Sequence, residues 1–573
     1  MAIPRLLLSL ALLLGSCPSR AVQAPPELVI TNARIHTQDA AHHIVGALAV
    51  RGTTILATGS DADMRALAGP GTRIVDVGGR VVLPGLIDAH THPAQSAQDL
   101  DKCDLHDGEL GAAGVKAAVA HCMQARRIGR DEWLEVVQVN ASNLILSRAD
   151  LDTMRSGGPL VLESADGHSG WGNSAALAAA HIDRNSRDPR GGRIERDRQG
   201  EPTGTLRDAA EERLLAAIPE TPIAVQAERL RRAFALMSAI GLTSVQDAAV
   251  GDPEMSLYKY LYDRHRLRMR VRGCFYLTDL GAPADEVVAA ATAFRDKWLL
   301  DPQWLRADAV KIFADGVIEY PTQTAALLSP YLDGAGHRTS NTGPSYFQQD
   351  ALNRIVAAID AAGMSVHVHA IGDRAVRQSL DAFAYARARG VGSHNRDQIA
   401  HLELVDPADF ARFRALDVIA NFQLQWATFD PAYIGTATLP YLGAERSRYL
   451  YPARALLEAG ALIAGGSDWG VSTFNPFEAM EHAVTRSLGR GARPLLPEQS
   501  LPLPVMVDAY TRNAAYALRQ EQTTGSLEPG KRADLIVLDR DIFAIDPFEL
   551  HATRVLATYL DGHEVHRDPS AQF

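Results

Sequence analysis

Residues 84–92 read Pro-Gly-Leu-Ile-Asp-Ala-His-Thr-His, an apolar run that ends in two histidines separated by one residue. Alternate side chains of a β-strand share a face, so His90 and His92 can point to the same side of one strand. Two imidazoles placed in this way can hold one metal ion. The run therefore predicts a strand whose carboxyl end carries part of a metal site.

Seven similar apolar runs follow, and most of them precede a stretch with helical periodicity. In residues 351–362, for example, Leu352, Ile355 and Ile359 recur at helix spacing before Gly363. The eight runs are 85–92, 242–247, 269–276, 309–313, 364–369, 398–402, 418–422 and 462–468. Eight strand-then-helix units predict an α/β fold built on a (β/α)8 TIM-like barrel, and a doubly wound parallel sheet is the alternative.

The two ends of the chain read as parts of one small β-domain, because short strand-like runs separated by turn residues occur at both. The stretch between the first two barrel runs is too long for a single crossover and predicts an inserted subdomain. The expected division is a β-sandwich part at 25–84, a barrel at 85–501 with an insertion at about 100–239, and a C-terminal segment at 502–573 that completes the sandwich.

Composition excludes several classes of protein. The 573 residues are 46% hydrophobic and 22% charged, which is enough apolar material for a large core. The net charge of −11 is spread without long runs of one sign, so a nucleic-acid partner is not expected. The sequence has no Walker loop and no Gly-x-Gly-x-x-Gly after a strand, so a nucleotide cofactor is not indicated.

The N-terminus has the pattern of a secretory signal. The apolar run 6–14 follows Arg5 and is too short to span a bilayer, which predicts a signal peptide at 1–24. Two processing sites remain open: cleavage after Ala24, or cleavage at a lipobox that leaves a lipidated Cys17 at the N-terminus. Both predict an exported protein, periplasmic or secreted, whose only membrane contact is the lipid anchor in the second case.

Three cysteines lie outside this segment: Cys103, Cys122 and Cys274. An exported chain could pair Cys103 with Cys122, and the sequence leaves that disulfide open. Nothing has the spacing of a zinc ribbon, so a cysteine-ligated metal is not expected.

Reactive side chains occur at the ends of the predicted strands, where a barrel enzyme carries its active site. These residues are His90, His92, Lys311, His367, His369, His401 and Asp468. Lys311 is one of only six lysines and lies in an apolar strand, where an unpaired ammonium would be costly to bury.

These stretches resemble a known family. The segment 84–92 is similar to the first-strand signature of the amidohydrolase superfamily, and 525–539 is similar to its closing β-segment. Residues 166–173, 310–316 and 369–375 resemble the amidohydrolase-3 subgroup, which includes N-substituted formamide deformylases. The resemblance covers essentially the whole mature chain.

The resemblance implies six metal ligands, which are His90, His92, Lys311, His369, His401 and Asp468. Lys311, carboxylated on its amine, would bridge two divalent ions, most readily zinc. Asp468 would hold the attacking water, take its proton and return it to the leaving amine.

Two residues of the insertion and one of the fifth run have weaker assignments. His168 is expected to hydrogen-bond the substrate carbonyl or the oxyanion, with a surface-loop role as the alternative. Trp171 could line a substrate pocket or pack the insertion. His367 is placed behind the ligands or in the core, because His369 adjoins the subgroup motif. No role is assigned to Asp315, Asp373 and Arg374.

The sequence thus predicts a metal-dependent amidohydrolase that cleaves the C–N bond of a small amide, N-acyl or formamide-like substrate. The alternatives are a cyclic amidine deaminase, an ester or lactone hydrolase on the same fold, and a non-catalytic binding or regulatory protein. The expected partner is a small-molecule substrate, and a homo-oligomer is compatible with the sequence.

Overall fold

The computed structural model describes residues 24–573, except 106, 107, 109, 127, 130, 131, 141–143, 165–168, 190, 191, 280 and 393 and the side chain of Asp208. The predicted signal peptide, including Cys17, therefore lies outside the described residues apart from Ala24. Among the residues described, no helix has the length and apolar character needed to cross a membrane.

A sheet of eight parallel strands forms the centre of the molecule, and its strands pair in chain order. Barrel strands one to eight are Leu86–Thr91, Leu242–Val250, Arg270–Tyr276, Leu305–Phe313, Ser365–Ala370, Gln398–His401, Ile419–Phe422 and Ile463–Gly465. Each overlaps one of the predicted runs, so the barrel prediction is confirmed. The segment after strand eight closes the ring against strand one, because the Asp468 N–H donates to the His90 carbonyl at 2.7 Å.

Helices follow the strands and pack on the outside of the sheet. In the barrel region they are Pro93–Ser96, Ile223–Ala239, Asp252–Tyr262, Ala284–Trp298, Gln349–Ala361, Asp373–Arg387, Phe410–Leu416, Leu439–Leu442, Ala444–Ser447, Ala453–Glu458, Pro476–Thr485, Leu503–Ala509 and Arg512–Ala517. Helix Gln349–Ala361 buries Leu352, Ile355 and Ile359 on one face. It ends before Gly363, whose φ of +74° suits a residue without a side chain.

A second sheet, of six strands, lies in the chain between barrel strands one and two, as the predicted insertion requires. Its strands are Cys103–Asp104, Leu134–Val139, Leu160–Ser164, Ser169–Gly172, Gly192–Arg196 and Pro202–Asp208, with helices Ala112–Arg126, Arg148–Met154, Ser174–Ala179 and Ala209–Leu215. Cys103 and Cys122 form a disulfide, which answers the question that their spacing left open.

The third sheet joins the two ends of the chain. Its strands are Leu28–His36, Ile44–Val45, Ala47–Arg51, Thr54–Gly59, Arg73–Pro84, Leu535–Leu538, Val555–Leu560 and His563–Arg567, with helix Asp61–Ala66 beside them. Strand Leu535–Leu538 pairs antiparallel with Arg73–Pro84, so both termini contribute to one β-unit, as expected. The exact domain boundaries stay a prediction.

A buried ion cluster links the base of the barrel to this terminal sheet. Arg270, the first residue of barrel strand three, is 1% exposed and donates to Asp534 at 2.8 and 3.1 Å. It also donates a short hydrogen bond to Asp561. One guanidinium therefore compensates two buried carboxylates that belong to the C-terminal part of the chain.

Replacing Arg270 with methionine should destabilise the protein by about 3–5 kcal/mol, because removing one partner leaves charges buried without compensation. Urea unfolding of the two proteins measures this difference. Arg73→Met is the matched control: Arg73 pairs with Glu564 at 3.2 Å, but its side chain is 54% exposed. An exposed pair should contribute at most about 1 kcal/mol. Equal effects of the two substitutions would contradict this prediction.

Candidate metal centre

The predicted reactive residues converge at the carboxyl end of the barrel. His90 lies near the end of strand one and Lys311 near the end of strand four, while His369 and His401 lie in strands five and six. Asp468 follows strand eight and is held against strand one by its backbone. Elements distant in sequence thus bring their polar side chains to one end of the sheet, where barrel enzymes perform chemistry.

His90, His92 and Asp468 form the tightest group. The Asp468 Oδ1 atom lies 3.3 Å from Nε2 of His90 and 3.0 Å from Nε2 of His92. One donor atom from each of the three lies within 4.8 Å of the others, a spacing that could hold a metal ion. Across the described residues, no other trio of histidine, cysteine or acidic side chains meets this criterion.

The electrostatics of this group suit a cation. Burial, together with the charge of Lys311, lowers the pKa of His90 to about 3, so the imidazole is neutral near pH 7. Burial alone would raise the pKa of Asp468, but His90 and His92 outweigh it and hold that pKa well below its usual value. Two imidazole rings and one carboxylate therefore face a common point.

Lys311 is fully buried beside this group, with its Nζ atom 3.5 Å from Nε2 of His90. Within the described part of the chain, no carboxylate oxygen lies within 4.0 Å of Nζ. Burial lowers the pKa of the ammonium group to about 8. The ammonium group lies instead beside the His90 imidazole and the ring of Phe313, whose centroid is 4.6 Å from Nζ.

His369 and His401 form a second pair, with ring centroids 4.4 Å apart. Burial holds the pKa of His401 well below its usual value, and it lowers that of His369 to about 3. The Nδ1 atom of His401 is buried and has no hydrogen-bond partner among the described residues. It lies 3.9 Å from Asp468 Oδ2, so Asp468 stands between both groups of histidines. A buried ring nitrogen without a partner suits the role of a metal ligand.

His367 contacts a histidine of the first group. Its Nε2 atom lies 2.8 Å from Nδ1 of His90, on the side of that ring away from Asp468. Gln246 donates to Nδ1 of His367 at 3.1 Å and to the Ala89 carbonyl at 2.9 Å. This chain of contacts fixes the orientation of the His90 ring.

We expect His367→Phe to weaken the binding of a divalent metal ion, with zinc as the probe, by about 10- to 100-fold, because partners behind a metal ligand orient it. Competition with a chromogenic chelator gives the Kd. Asn421→Leu is a matched control, since Asn421 also donates to the Ala89 carbonyl, at 3.0 Å, from inside the barrel. Zinc affinity of His367→Phe equal to that of the control would refute the positioning role.

Three carboxylates that brace the site were not assigned a role by sequence reasoning. Asp88 accepts from the backbone N–H groups of His90 and Ser467 at 3.1 and 3.0 Å, which ties strand one to the Asp468 segment. Asp247 lies 3.9 Å from Nδ1 of His92. Asp315 accepts from three backbone N–H groups of the loops after strands four and five. The one feature of the sequence that could have identified these three carboxylates is their position near the end of a predicted strand.

Of the remaining predicted residues, Trp171, Asp373 and Arg374 make their contacts away from this cluster. His168 falls outside the described residues. Trp171 is 1% exposed within the apolar core of the insertion, which favours its packing role over contact with a substrate. Asp373 accepts from Leu328 N–H at 2.8 Å, and Arg374 donates to the Thr342 carbonyl at 3.1 Å. Both brace the loop that follows strand four.

The chain is similar in sequence and in fold to several known proteins. The Amidohydrolase family matches residues 73–566. N-substituted formamide deformylase of Arthrobacter pascens is 30% identical over 562 residues, which is 94% of this chain and 97% of that protein. An uncharacterized metal-dependent hydrolase from Pyrococcus horikoshii has a similar structure, with a TM-score of 0.73 and 22% identity over 91% of this chain and 99% of that one. Atrazine chlorohydrolase TrzN from Arthrobacter aurescens, solved with zinc, aligns with a TM-score of 0.53 and 16% identity over 95% and 97%.

Proposed function

The chain belongs to the amidohydrolase family and is a hydrolase of carbon–nitrogen bonds, and we propose that it cleaves an amide, N-acyl or formamide-like bond of a small molecule. The observation that carries this proposal is the convergence of His90, His92 and Asp468 beside the buried Lys311. The N-substituted formamide deformylase of A. pascens supports the same class of bond.

The residues present fit a pair of divalent ions. His90, His92 and Asp468 would hold the first ion, and His369 and His401 the second. When bound, such ions lower the pKa of water toward neutrality and polarise the substrate carbonyl. Neutral imidazoles with carboxylate oxygens are ligands that zinc prefers, and the zinc in TrzN supports zinc as the first metal to test.

Lys311 would join the two ions as a carboxylated side chain. Its neutral amine adds to CO₂, a C–N bond forms, one proton is released, and the cation becomes an anionic oxygen donor. With a pKa of about 8, about a tenth of the amine is neutral at pH 7, compared with less than a thousandth for an ordinary lysine. By lowering the pKa, burial increases the fraction of neutral amine that can react with CO₂.

Asp468 is the proposed general base and acid. Its carboxylate lies between the two histidine groups and stays ionised at neutral pH, so it can accept a proton from the attacking water. The same carboxyl then donates that proton to the nitrogen of the leaving amine. His168 remains proposed as the donor to the substrate oxygen.

We also propose export, with signal removal after Ala24 or at a lipidated Cys17. The Cys103–Cys122 disulfide supports an oxidising compartment. Mass spectrometry of the N-terminal peptide from the mature protein distinguishes the two processing sites, because the two peptides differ in mass.

Elemental analysis of the zinc-supplemented mature protein, combined with a panel of amides, cyclic amidines and lactones, tests the function. We expect about two zinc ions per chain and release of a carboxylate and a free amine from an amide. Ammonia released from a cyclic amidine would indicate a deaminase. Absence of bound metal, or bound metal without turnover of any amide, would overturn the proposal and favour a binding protein.

A further inference from the structure

Aromatic side chains border one side of the candidate metal centre. Phe313 ends barrel strand four, two residues after Lys311, so the two side chains share a face. Its ring centroid lies 4.7 Å from that of His369 and 4.6 Å from Nζ of Lys311. Phe313 therefore lies directly against two of the proposed ligands.

Two tyrosines extend this surface outward. The ring of Tyr276, at the end of strand three, meets Phe313 edge-on with centroids 5.5 Å apart. The hydroxyl of Tyr346 lies 3.0 Å from where a Cβ atom would stand on Gly316. The Gly316 carbonyl is itself 3.1 Å from Nε2 of His369. We call Phe313, Tyr276 and Tyr346 the aromatic wall.

The wall opens to solvent. Tyr276 is 39% exposed and Tyr346 is 37% exposed, whereas Tyr258 and Tyr510 of the same barrel are almost completely buried. Single exposed apolar residues need no explanation. Exposed aromatic residues grouped at the reactive end of a barrel indicate a binding surface.

The barrel side near strand one has the opposite character. A cavity of about 370 Å³ begins two residues after His92, at Ala94, and continues into the insertion. Its lining is mainly polar and charged, and includes Gln98, Lys102, Glu163 and Glu254. The side of strands three and four therefore offers an aromatic surface that the lining of this cavity lacks.

We propose that the aromatic wall is the subsite for an aromatic ring that the substrate carries next to its scissile C–N bond; this inference rests on the proposed hydrolytic function. A ring lying on Tyr276 and Tyr346 would pack offset or edge-on, which are the favoured geometries of aromatic pairs. Its attached amide would then reach the Lys311 and His369 side of the centre.

Two hydroxamates test the wall without turnover. Acetohydroxamate and benzohydroxamate carry the same chelating group, so the ratio of their Kd values for the zinc-loaded protein isolates the ring. We expect benzohydroxamate to bind at least about tenfold more tightly, since each aromatic pair contributes about 2- to 10-fold. Equal affinities of the two probes, or binding of neither, would overturn the proposal.

Two variants assign the preference to the wall. Tyr276→Ala and Tyr346→Ala should each reduce the benzohydroxamate preference by about 2- to 10-fold and leave acetohydroxamate binding unchanged. Either variant suffices if the other does not fold. Tyr385→Ala, in the outer helix Asp373–Arg387, is the control and should keep the wild-type ratio. The assignment of the preference to the aromatic wall would be refuted if both wall variants kept the wild-type ratio of the two Kd values. It would also be refuted if Tyr385→Ala reduced that ratio as much as the wall variants do.

Turnover separates this inference from the function on which it rests. Wild-type kcat/KM is compared between N-benzylacetamide and N-methylacetamide for a ring on nitrogen, and between N-methyl-2-phenylacetamide and N-methylacetamide for a ring on the acyl group. Amide hydrolysis without preference for a ring would overturn the subsite alone. A hydroxamate preference that depends on the wall, without hydrolysis of any amide, would support the subsite and overturn the proposed function.

Discussion

Asp468→Asn is expected to lower amide hydrolysis by at least about 10²- to 10⁴-fold, the usual contribution of general acid–base catalysis. The amide keeps the size of the side chain and one oxygen, but it cannot accept a proton from water or pass one to the leaving nitrogen. The backbone should persist, because the N–H of residue 468 still donates to the His90 carbonyl. The measurement is kcat/KM on the best amide substrate, together with zinc content.

Zinc content distinguishes two reasons for that loss. If the variant keeps its zinc, the missing step is proton transfer; if it loses zinc, the missing contribution is the ligand facing His90 and His92. Asp373→Asn is the matched control: its carboxylate follows strand five at the same end of the barrel but accepts a backbone N–H, from Leu328. More than a tenth of wild-type activity in Asp468→Asn would contradict the role given to this residue.

Much of the barrel could be predicted because each strand leaves a local signal. A central parallel strand is buried on both faces and reads as an apolar run, as in Leu86–Thr91, where every residue is buried. The polar exceptions in such runs, His90 and Lys311 among them, marked the site because burial of an ionisable group without a purpose is costly.

Contacts between distant strands could not be predicted in the same way. Gln246 reaches His367 across 121 residues, and Asp88 reaches the Ser467 N–H across 379. Neither pair has a local pattern, because both depend on register and ring closure. Pairing of Cys103 with Cys122 likewise needed the packing of helix Ala112–Arg126 against its sheet.

The aromatic wall shows a further limit of sequence reasoning. Tyr276 and Phe313 each end a strand and read locally as ordinary apolar residues. Their proposed role depends on the contact of Phe313 with His369 and on the exposure of Tyr276 next to Phe313, which only the assembled barrel reveals. Apolar runs and motifs in the sequence therefore identify the candidate metal ligands better than they identify the residues that would select the substrate.

Lys311→Ala is expected to reduce bound zinc from about two ions per chain to one or fewer and to reduce activity by about 10²-fold or more. The physical reason is the loss of the lysine proposed to become the anionic bridge, since Nζ lies 3.5 Å from Nε2 of His90 and its strand neighbour Phe313 packs on His369. Added propionate should restore part of both quantities by supplying a carboxylate in the vacated space.

Lys102→Ala is the control for this substitution. Lys102 is largely buried and pairs with Asp99, Glu135 and Glu163 at 3.2–3.5 Å, so its loss costs stability without touching the histidines. Zinc content should stay at the wild-type value. Wild-type zinc and activity in Lys311→Ala would refute the bridge.

Carboxylation makes a separate prediction for the wild-type protein. Only the neutral amine reacts with CO₂, and a pKa of about 8 means that its fraction rises from about a tenth at pH 7 to about nine tenths at pH 9. Zinc uptake by metal-free protein should therefore accelerate with pH over this range and with added bicarbonate. If added bicarbonate does not change the rate of zinc uptake at pH 8, Lys311 stays an amine in the site. The bridging oxygen would then have to come from Asp468, whose carboxylate lies between the two histidine groups.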